Sequence, residues 1–179
     1  MSDRRSADED LLQATRNGDL RAFDVLYVRY ERRLYGYIRR MVADRDLAED
    51  LLQDVLLTVI RDRSYDPARG RFAAWLFTVA RNRCLAQRRH DAVREDDRAR
   101  TPPRLSTSPE SQLARAQQVR TAMAGLTESQ QQLLLLKQVG ELTYRELAQI
   151  HGVAEGTIKS RLHAATRAFR QRLAETGEG

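Results

Sequence analysis

One cysteine, Cys84, stands in the 179 residues, so no intrachain disulfide can brace the fold. A chain of that kind suits a reducing compartment, and Cys84, inside a helical stretch, reads as a packing residue rather than a nucleophile. Nine glycines, four prolines and few alternating β-branched runs leave little material for hairpins and point to helices throughout. Aromatics are only 6% and charged residues 31%, which favours small helical cores over one large one. No apolar run approaches the roughly 20 residues that span a bilayer. The opening MSDRRSADED lacks the apolar centre of a signal peptide, so the expectation is a soluble, cytoplasmic protein. His90, His151 and His163 are scattered and no Cys/His ligand set exists. The chain is therefore expected to hold no metal and no cofactor, and a catalytic role finds little support.

What is present is positive charge. The net charge of +6 and a pI near 10 favour a polyanionic partner. The charge is unevenly placed. Asp8–Asn17 reads as a short helix, and Asp19 caps a second whose Phe23, Leu26, Tyr27, Tyr30, Leu34, Tyr37, Ile38 and Met41 recur at helical spacing, as core. The helix DLAEDLLQDVLLTVI, Asp46–Ile60, then gathers Ala48, Leu51, Leu52, Val55 and Val59 on one face. Asp46, Glu49, Asp50, Gln53 and Asp54 fall on the other. Acids at a helix start oppose its dipole favourably, but Asp54 lies beyond the first turn. An acidic stripe on a basic chain repels DNA and suits a basic protein surface better than a metal cage.

The loop RDRSYDPARGR leads into FAAWLFTVARNRCLAQRRH, Phe72–His90. Here Trp75, Thr78, Asn82 and Arg89 follow one side, with Arg81, Arg83 and Arg88 adding charge. Cations interleaved with an aromatic suit a strand whose bases are unstacked. From Asp91 to Gln112 apolar periodicity fails and prolines accumulate, which predicts a flexible linker. The expected organisation is all-α: a helical domain over 1–92, a linker over 93–112 and a second small domain over 113–179. In that second domain Leu113–Gly125 forms one helix. Thr127 caps another with Gln130 at the box position, and Leu133–Leu136 face several ways, as buried residues do.

The last stretch, LTYRELAQIHGVAEGTIKSRLHAATRAFRQRL, carries the most demanding pattern. Thr143 and Glu146 form a capping box, Leu142 and Leu147 a hydrophobic staple, and Gly152 sits where a left-handed turn residue is required. The next helix places Ile158, Leu162, Ala165, Phe169 and Leu173 on one face and Lys159, Ser160, His163, Arg167 and Arg170 opposite. Short helix, glycine turn and basic-faced helix make a helix-turn-helix, whose second helix enters the major groove. Ala154 is a poor cap for that helix, worth about 1 kcal/mol less than Ser or Asp. Glu155 partly compensates through the helix dipole.

DLAEDLLQDV, FAAWLFTVARN and LTYRELAQIHGVAEGTIKSRLHAA, in this order, resemble a bacterial extracytoplasmic-function sigma factor over nearly the whole chain, from about Asp19 to Leu173. The resemblance implies an adaptor that binds core RNA polymerase and directs it to promoter DNA, and an anti-sigma factor that restrains it. By the same resemblance Asp46, Glu49, Asp50, Gln53 and Asp54 dock on the polymerase. Arg69, Trp75, Thr78, Arg81, Asn82 and Arg89 serve the −10 element, and Thr157, Lys159, Ser160, Arg161, His163 and Arg167 the −35 element. The sequence departs from the family pattern at Leu56, often aromatic there, at Thr78, often Arg, and at the Ala154 cap. An autonomous helix-turn-helix regulator is the alternative. It accounts for residues 127–173 and leaves the acidic stripe and the Trp75 helix without a purpose.

Overall fold

A computed structural model describes residues 3–42, 44–94 and 110–177. The chain divides into two compact units, Met1–Pro102 and Pro103–Gly179. Among the described residues the regular structure is entirely helical: α1 (Asp3–Arg16), α2 (Leu20–Met41), α3 (Arg45–Arg61), a 3-10 turn (Pro67–Arg69) and α4 (Phe72–Arg94) in the first unit, then α5 (Glu110–Ala124), α6 (Glu128–Gln138), α7 (Tyr144–His151) and α8 (Glu155–Gly177) in the second.

In the first unit each helix boundary has a local cause. Asp19 accepts from the backbone N–H of Arg21 at 2.9 Å and of Ala22 at 3.3 Å, covering two of the orphan donors that start α2. Asp44 does the same for Leu47 at 2.9 Å and so opens α3. The stripe Leu26, Tyr30, Leu34, Tyr37, Ile38 and Met41 buries α2 against α1, α3 and α4. Aromatic edges lock that contact: Tyr30 meets Phe72 at 5.5 Å and 77°, and Tyr37 meets Phe77 at 5.8 Å and 86°. Cys84 is wholly buried in this core. Burial pushes its thiol up to about 12, outweighing the pull of Arg88, so it packs and stays protonated.

The second unit is built around α8, which packs on α5, α6 and α7. Leu133, Leu134, Leu135 and Leu136 are all buried, as their four-way facing predicts. Gln131 ties α6 to the end of α5 by donating to the carbonyls of Met123 at 2.9 Å and Leu126 at 3.0 Å. A Cβ at Gly140 would come within 2.5 Å of the Leu136 carbonyl oxygen, so the α6–α7 turn closes too tightly for any side chain there. Leu136, Leu142, Leu147 and Ile158 have no appreciable exposure. Each contributes about 1.5–3 kcal/mol by leaving water.

Helix ends differ from the sequence expectation where apolar periodicity was the guide. The first helix begins at Asp3 rather than Asp8. The expected linker loses both margins to helix, because α4 continues to Arg94 and α5 starts at Glu110. Gln87 donates to Asp91 one turn later at 2.8 Å, a polar i,i+4 contact that supports the last turns of α4. The remainder of the expected linker, 95–109, lies outside the described residues. No helix among the described residues is long and apolar enough to cross a membrane.

Candidate nucleic-acid interface

Three surfaces collect the residues singled out by sequence. On α3, Asp46, Glu49, Asp50, Gln53 and Asp54 are all exposed, while Ala48, Leu51, Leu52, Val55, Leu56 and Val59 are buried on the other side. Positions 46, 49, 50, 53 and 54 run along a single helical stripe. Arg45 pairs with Glu49 at 3.0 Å, an exposed bond that holds the Arg45 guanidinium above its ordinary value. Leu57 is 41% exposed at the end of this stripe and was missed by sequence reasoning. A leucine three residues after Asp54, off the apolar face, was the available signal. Leu57, Asp54, Thr58, Arg61, Asp62 and Arg83 line a cleft of about 320 Å³ where α3 meets α4.

The second surface is the start of α4 with the loop before it. Trp75 is half-buried, its ring 5.6 Å from Tyr65 and 5.7 Å from Phe72. One side of the indole is thus fixed by packing. Thr78, one turn on, spends its hydroxyl proton on the Ala74 carbonyl at 2.7 Å. Asn82 is exposed on the same stripe, and Arg81 reaches its Oδ1 at 3.4 Å. Trp75, Thr78, Arg81 and Asn82 therefore share two turns of helix. Arg69 lies apart on the 3-10 turn, exposed and 3.6 Å from Asp66. Arg89 lies farther still, about 21 Å along α4 from Trp75 at the helical rise. It bonds the carbonyl of Leu85 at 3.3 Å, so it is a separate cationic point rather than part of the Trp75 group. Tyr65, buried and touching both Phe72 and Trp75, is the aromatic that sequence reasoning passed over inside a charged loop.

The third surface is α8 and the turn that aims it. Glu146 accepts from the backbone N–H of Thr143 at 2.8 Å, and Thr143 Oγ1 accepts from the N–H of Glu146 at 3.2 Å, closing the capping box. Leu142 and Leu147 are both fully buried as the staple. Gly152 adopts φ 63°, ψ 35°, and the N–H of Val153 reaches the Ala148 carbonyl at 3.1 Å, a Schellman closure. No atom lies within 4 Å of a Cβ built there, so glycine is required by backbone conformation and not by space. Ala154 offers no side-chain cap; its carbonyl accepts from Thr157 at 3.0 Å and Ile158 at 3.2 Å.

Lys159, Ser160, Arg161, His163 and Arg167 are exposed and Thr157 is half-buried. Two of these groups are engaged within the helix neighbourhood. Ser160 donates to the carbonyls of Gly156 and Thr157 at 3.2 and 3.1 Å, which leaves its oxygen as an acceptor. Lys159 pairs with Glu155 at 3.1 Å and sits 5.7 Å from the Tyr144 ring centre. Lys137 approaches the same ring at 4.8 Å, so α6, α7 and α8 converge on one aromatic flanked by two ammonium groups. That cluster joins residues far apart in sequence and was not anticipated. Among the described residues, no three His, Cys, Asp or Glu side chains are grouped to hold a metal ion.

An acidic face and a cationic aromatic face in one helical unit, with a helix-turn-helix in the next, are the parts of a sigma-70 class initiation factor. The family model for Sigma-70 region 2 matches residues 26–94, and that for Sigma-70, region 4 matches 116–169. The chain is 34% identical over 174 residues to the ECF RNA polymerase sigma factor RpoE of Cereibacter sphaeroides, covering 91% of this chain and 93% of that one. It is 32% identical over 171 residues to the RNA polymerase sigma factor CarQ of Myxococcus xanthus, covering 92% and 96%. Among solved structures, RpoE of Bartonella quintana, co-crystallised with the anti-sigma factor NepR, aligns with TM-score 0.70 at 26% identity, over 85% of this chain and 96% of that one. CnrH, solved with the cytosolic domain of CnrY, shares the fold at TM-score 0.72 and 19% identity, over 94% and 98%. The chain belongs to the extracytoplasmic-function family of RNA polymerase sigma factors. It directs promoter-specific transcription initiation with RNA polymerase and is not an autonomous regulator.

Proposed function

We propose a division of that work among the three surfaces. The acidic stripe Asp46, Glu49, Asp50, Gln53 and Asp54, ending on Leu57, docks on a basic face of core polymerase. Leu57 supplies an apolar contact at the edge of a charged surface, where partial desolvation strengthens the surrounding pairs. Trp75, Thr78, Arg81 and Asn82, with Arg69 on the preceding turn, engage the unstacked strand of the −10 element. Arg89 meets phosphate at a distance from the captured bases. On α8, Lys159 and Arg161 read base edges of the −35 element, with Thr157, Ser160 and His163 beside them, and Arg167 contacts the backbone.

The observation that carries this reading is the half-buried Trp75, braced on one side by Tyr65 and Phe72. An indole held edge and face by packing costs little entropy to present to a base, and such stacking is worth about 1–3 kcal/mol. Thr78 contributes a compact hydroxyl in place of the family's frequent cation, so charge on this face comes from Arg81 and the more distant arginines. The protein performs no covalent step; nucleotide transfer belongs to the polymerase.

The same proposal places the protein in the cytoplasm, with residues 1–92 and 113–179 as separate working domains and 93–112 as the connector. It takes an anti-sigma factor as its restraining partner, a reading supported by the Bartonella quintana relative, which was co-crystallised with one. Transcription from matched duplex and pre-opened promoters tests the division. Substitutions at Trp75 or Asn82 should impair the duplex template more than the pre-opened one. Equal loss on both would remove the strand-opening role.

A further inference from the structure

Helix α1 precedes the residues matched by the region 2 model, which begin at position 26, yet polar side chains bind it to the loop that leads to Trp75. Near its C-terminal end, Arg16 Nη2 donates to the carbonyl of Asp62 at 2.6 Å, and Arg63 Nη2 donates to the carbonyl of Arg16 at 3.4 Å. About two turns earlier, Glu9 Oε1 accepts from the Tyr65 hydroxyl at 2.9 Å, and that hydroxyl also lies 3.1 Å from the carbonyl of Gly70. Asp8, 7% exposed, anchors this part of α1 to α2 by accepting from Arg29 and from the Tyr30 hydroxyl. Loop 62–70 is thus fastened to α1 at its start, through Asp62 and Arg63, and again at Tyr65, whose hydroxyl also braces the Gly70 carbonyl within the loop.

Tyr65 is where the fastening meets the proposed strand-capture surface. Its ring is 7% exposed and touches Phe72 at 5.9 Å and Trp75 at 5.6 Å. Gly70 has φ 154°, a conformation that other residues rarely adopt, so the chain direction into α4 is sharply set. We propose that α1 is a positioning strut for promoter opening: Glu9, through the Tyr65 hydroxyl, sets the pose of Trp75 and of the 66–71 loop. Glu9 and Tyr65 are positioning residues and touch no base. This inference rests on the assignment of Trp75 and Asn82 to the −10 strand.

The bond to a carboxylate is the stronger of the two made by the Tyr65 hydroxyl, because the acceptor is charged. Its loss leaves the ring buried but free to rotate away from its present contact with the indole. The protein contains a single tryptophan, so Trp75 itself reports the pose by its fluorescence. The test uses full-length protein, core polymerase and one promoter in duplex and pre-opened forms. Glu9→Ala and Tyr65→Phe should each slow open-complex formation on the duplex on the order of tenfold, leave core affinity unchanged, and shift Trp75 emission alike. The double variant should be no worse than Tyr65→Phe, which already removes that bond together with the Gly70 contact. Glu9→Gln, which keeps an acceptor oxygen, should restore most of the rate.

Wild-type opening in Tyr65→Phe overturns the proposal, as do defects that multiply in the double variant. A Glu9→Gln protein as slow as Glu9→Ala, with emission unchanged, overturns it too. Should Glu9→Ala lose helicity, Glu9→Gln and Tyr65→Phe decide the matter in its place. Trp75→Ala and Asn82→Ala are run in parallel. Normal opening in those two removes the underlying −10 assignment, whereas slow opening in them with normal opening in Tyr65→Phe removes the strut alone.

Discussion

Helices α4 and α8 are each 23 residues long and both carry arginines, yet they prepare for nucleic acid in different ways. The useful face of α4 is composite. Trp75 owes its pose to Tyr65 from a loop and Phe72 from its own helix, and that loop is tied to α1. The face of α8 is nearly self-contained: Lys159, Arg161, His163 and Arg167 are exposed along one helix, aimed by the turn at Gly152. All aromatics except Tyr144 and Phe169 lie in the first unit. The difference fits the targets proposed for the two helices. A duplex is a rigid, regular surface, which a preformed helix can read with exposed donors. An unstacked base needs a wall to replace its lost neighbours, and a wall requires several elements packed together.

Charge reversal gives the largest expected effect and separates polymerase docking from both nucleic-acid faces. Asp50→Lys with Asp54→Lys should weaken binding to core polymerase by about 2–5 kcal/mol, most of it through mismatched charge at the contact. Helicity by circular dichroism and the thermal midpoint should stay near wild type, because both positions are exposed. Unaltered affinity in a titration would remove the docking assignment.

Leu147→Ala comes next and strikes the self-contained side. Leu147 is the fully buried inner half of the staple, and its truncation should cost about 2–5 kcal/mol of folding stability, read by chemical denaturation. Binding to a −35 duplex should fall with the folded fraction, while the emission of Trp75 in the first unit should stay as in wild type. A Trp75 signal that moves with this variant would show the two faces to be coupled.

Base reading is a smaller effect with a sharper signature. Lys159→Ala and Arg161→Ala should each cost about 1–3 kcal/mol and relax preference within the −35 element. Lys159→Ala should fall toward the lower end, since its ammonium must leave Glu155 and the Tyr144 ring to reach a base. Arg167→Ala should weaken all promoters alike and lower the salt dependence of binding by about one ion. Promoter-library selection distinguishes the patterns, and a sequence-selective loss in Arg167→Ala would reverse the assignment.

Gly152→Ala is the smallest. Holding alanine in the left-handed region costs about 1–2 kcal/mol, with no steric term because the space around the position is open. Thermal denaturation should show that loss, and a variant as stable as wild type would mean the turn had changed shape.

Features set by neighbours in sequence were legible before the structure. The Asp19 cap, both capping boxes at Thr127 and Thr143, and the left-handed Gly152 each depend on fewer than about six consecutive residues. The acidic stripe of α3 and the apolar stripes of α2 and α8 follow from helical period alone. What could not be read depends on contacts distant in sequence. Tyr65 looks like a loop residue until Glu9, 56 positions earlier, accepts its hydroxyl proton. The cluster of Lys137, Tyr144 and Lys159 joins three helices. Leu57 stands 41% exposed at the mouth of a cleft between α3 and α4, which no period predicts. α4 ran past expectation with a polar pair, Gln87 and Asp91, in its last turns, and no apolar period marked the early start of α5. Arg69 and Arg89 were grouped with Trp75 by resemblance; Arg69 stands on the 3-10 turn before α4 and Arg89 about 21 Å along the helix from Trp75.

The contrast between a composite face and a self-contained one is tested most directly by Trp75→Phe and Trp75→Ala on matched duplex and pre-opened promoters. Open-complex formation would be followed by permanganate reactivity of exposed thymines. Trp75→Ala should retain binding to the −35 duplex and work on the pre-opened template. On the duplex it should open slowly, with Trp75→Phe intermediate because part of the stacking wall remains. Equal loss on both templates, or an opening rate unaffected by removal of the indole, would contradict that contrast.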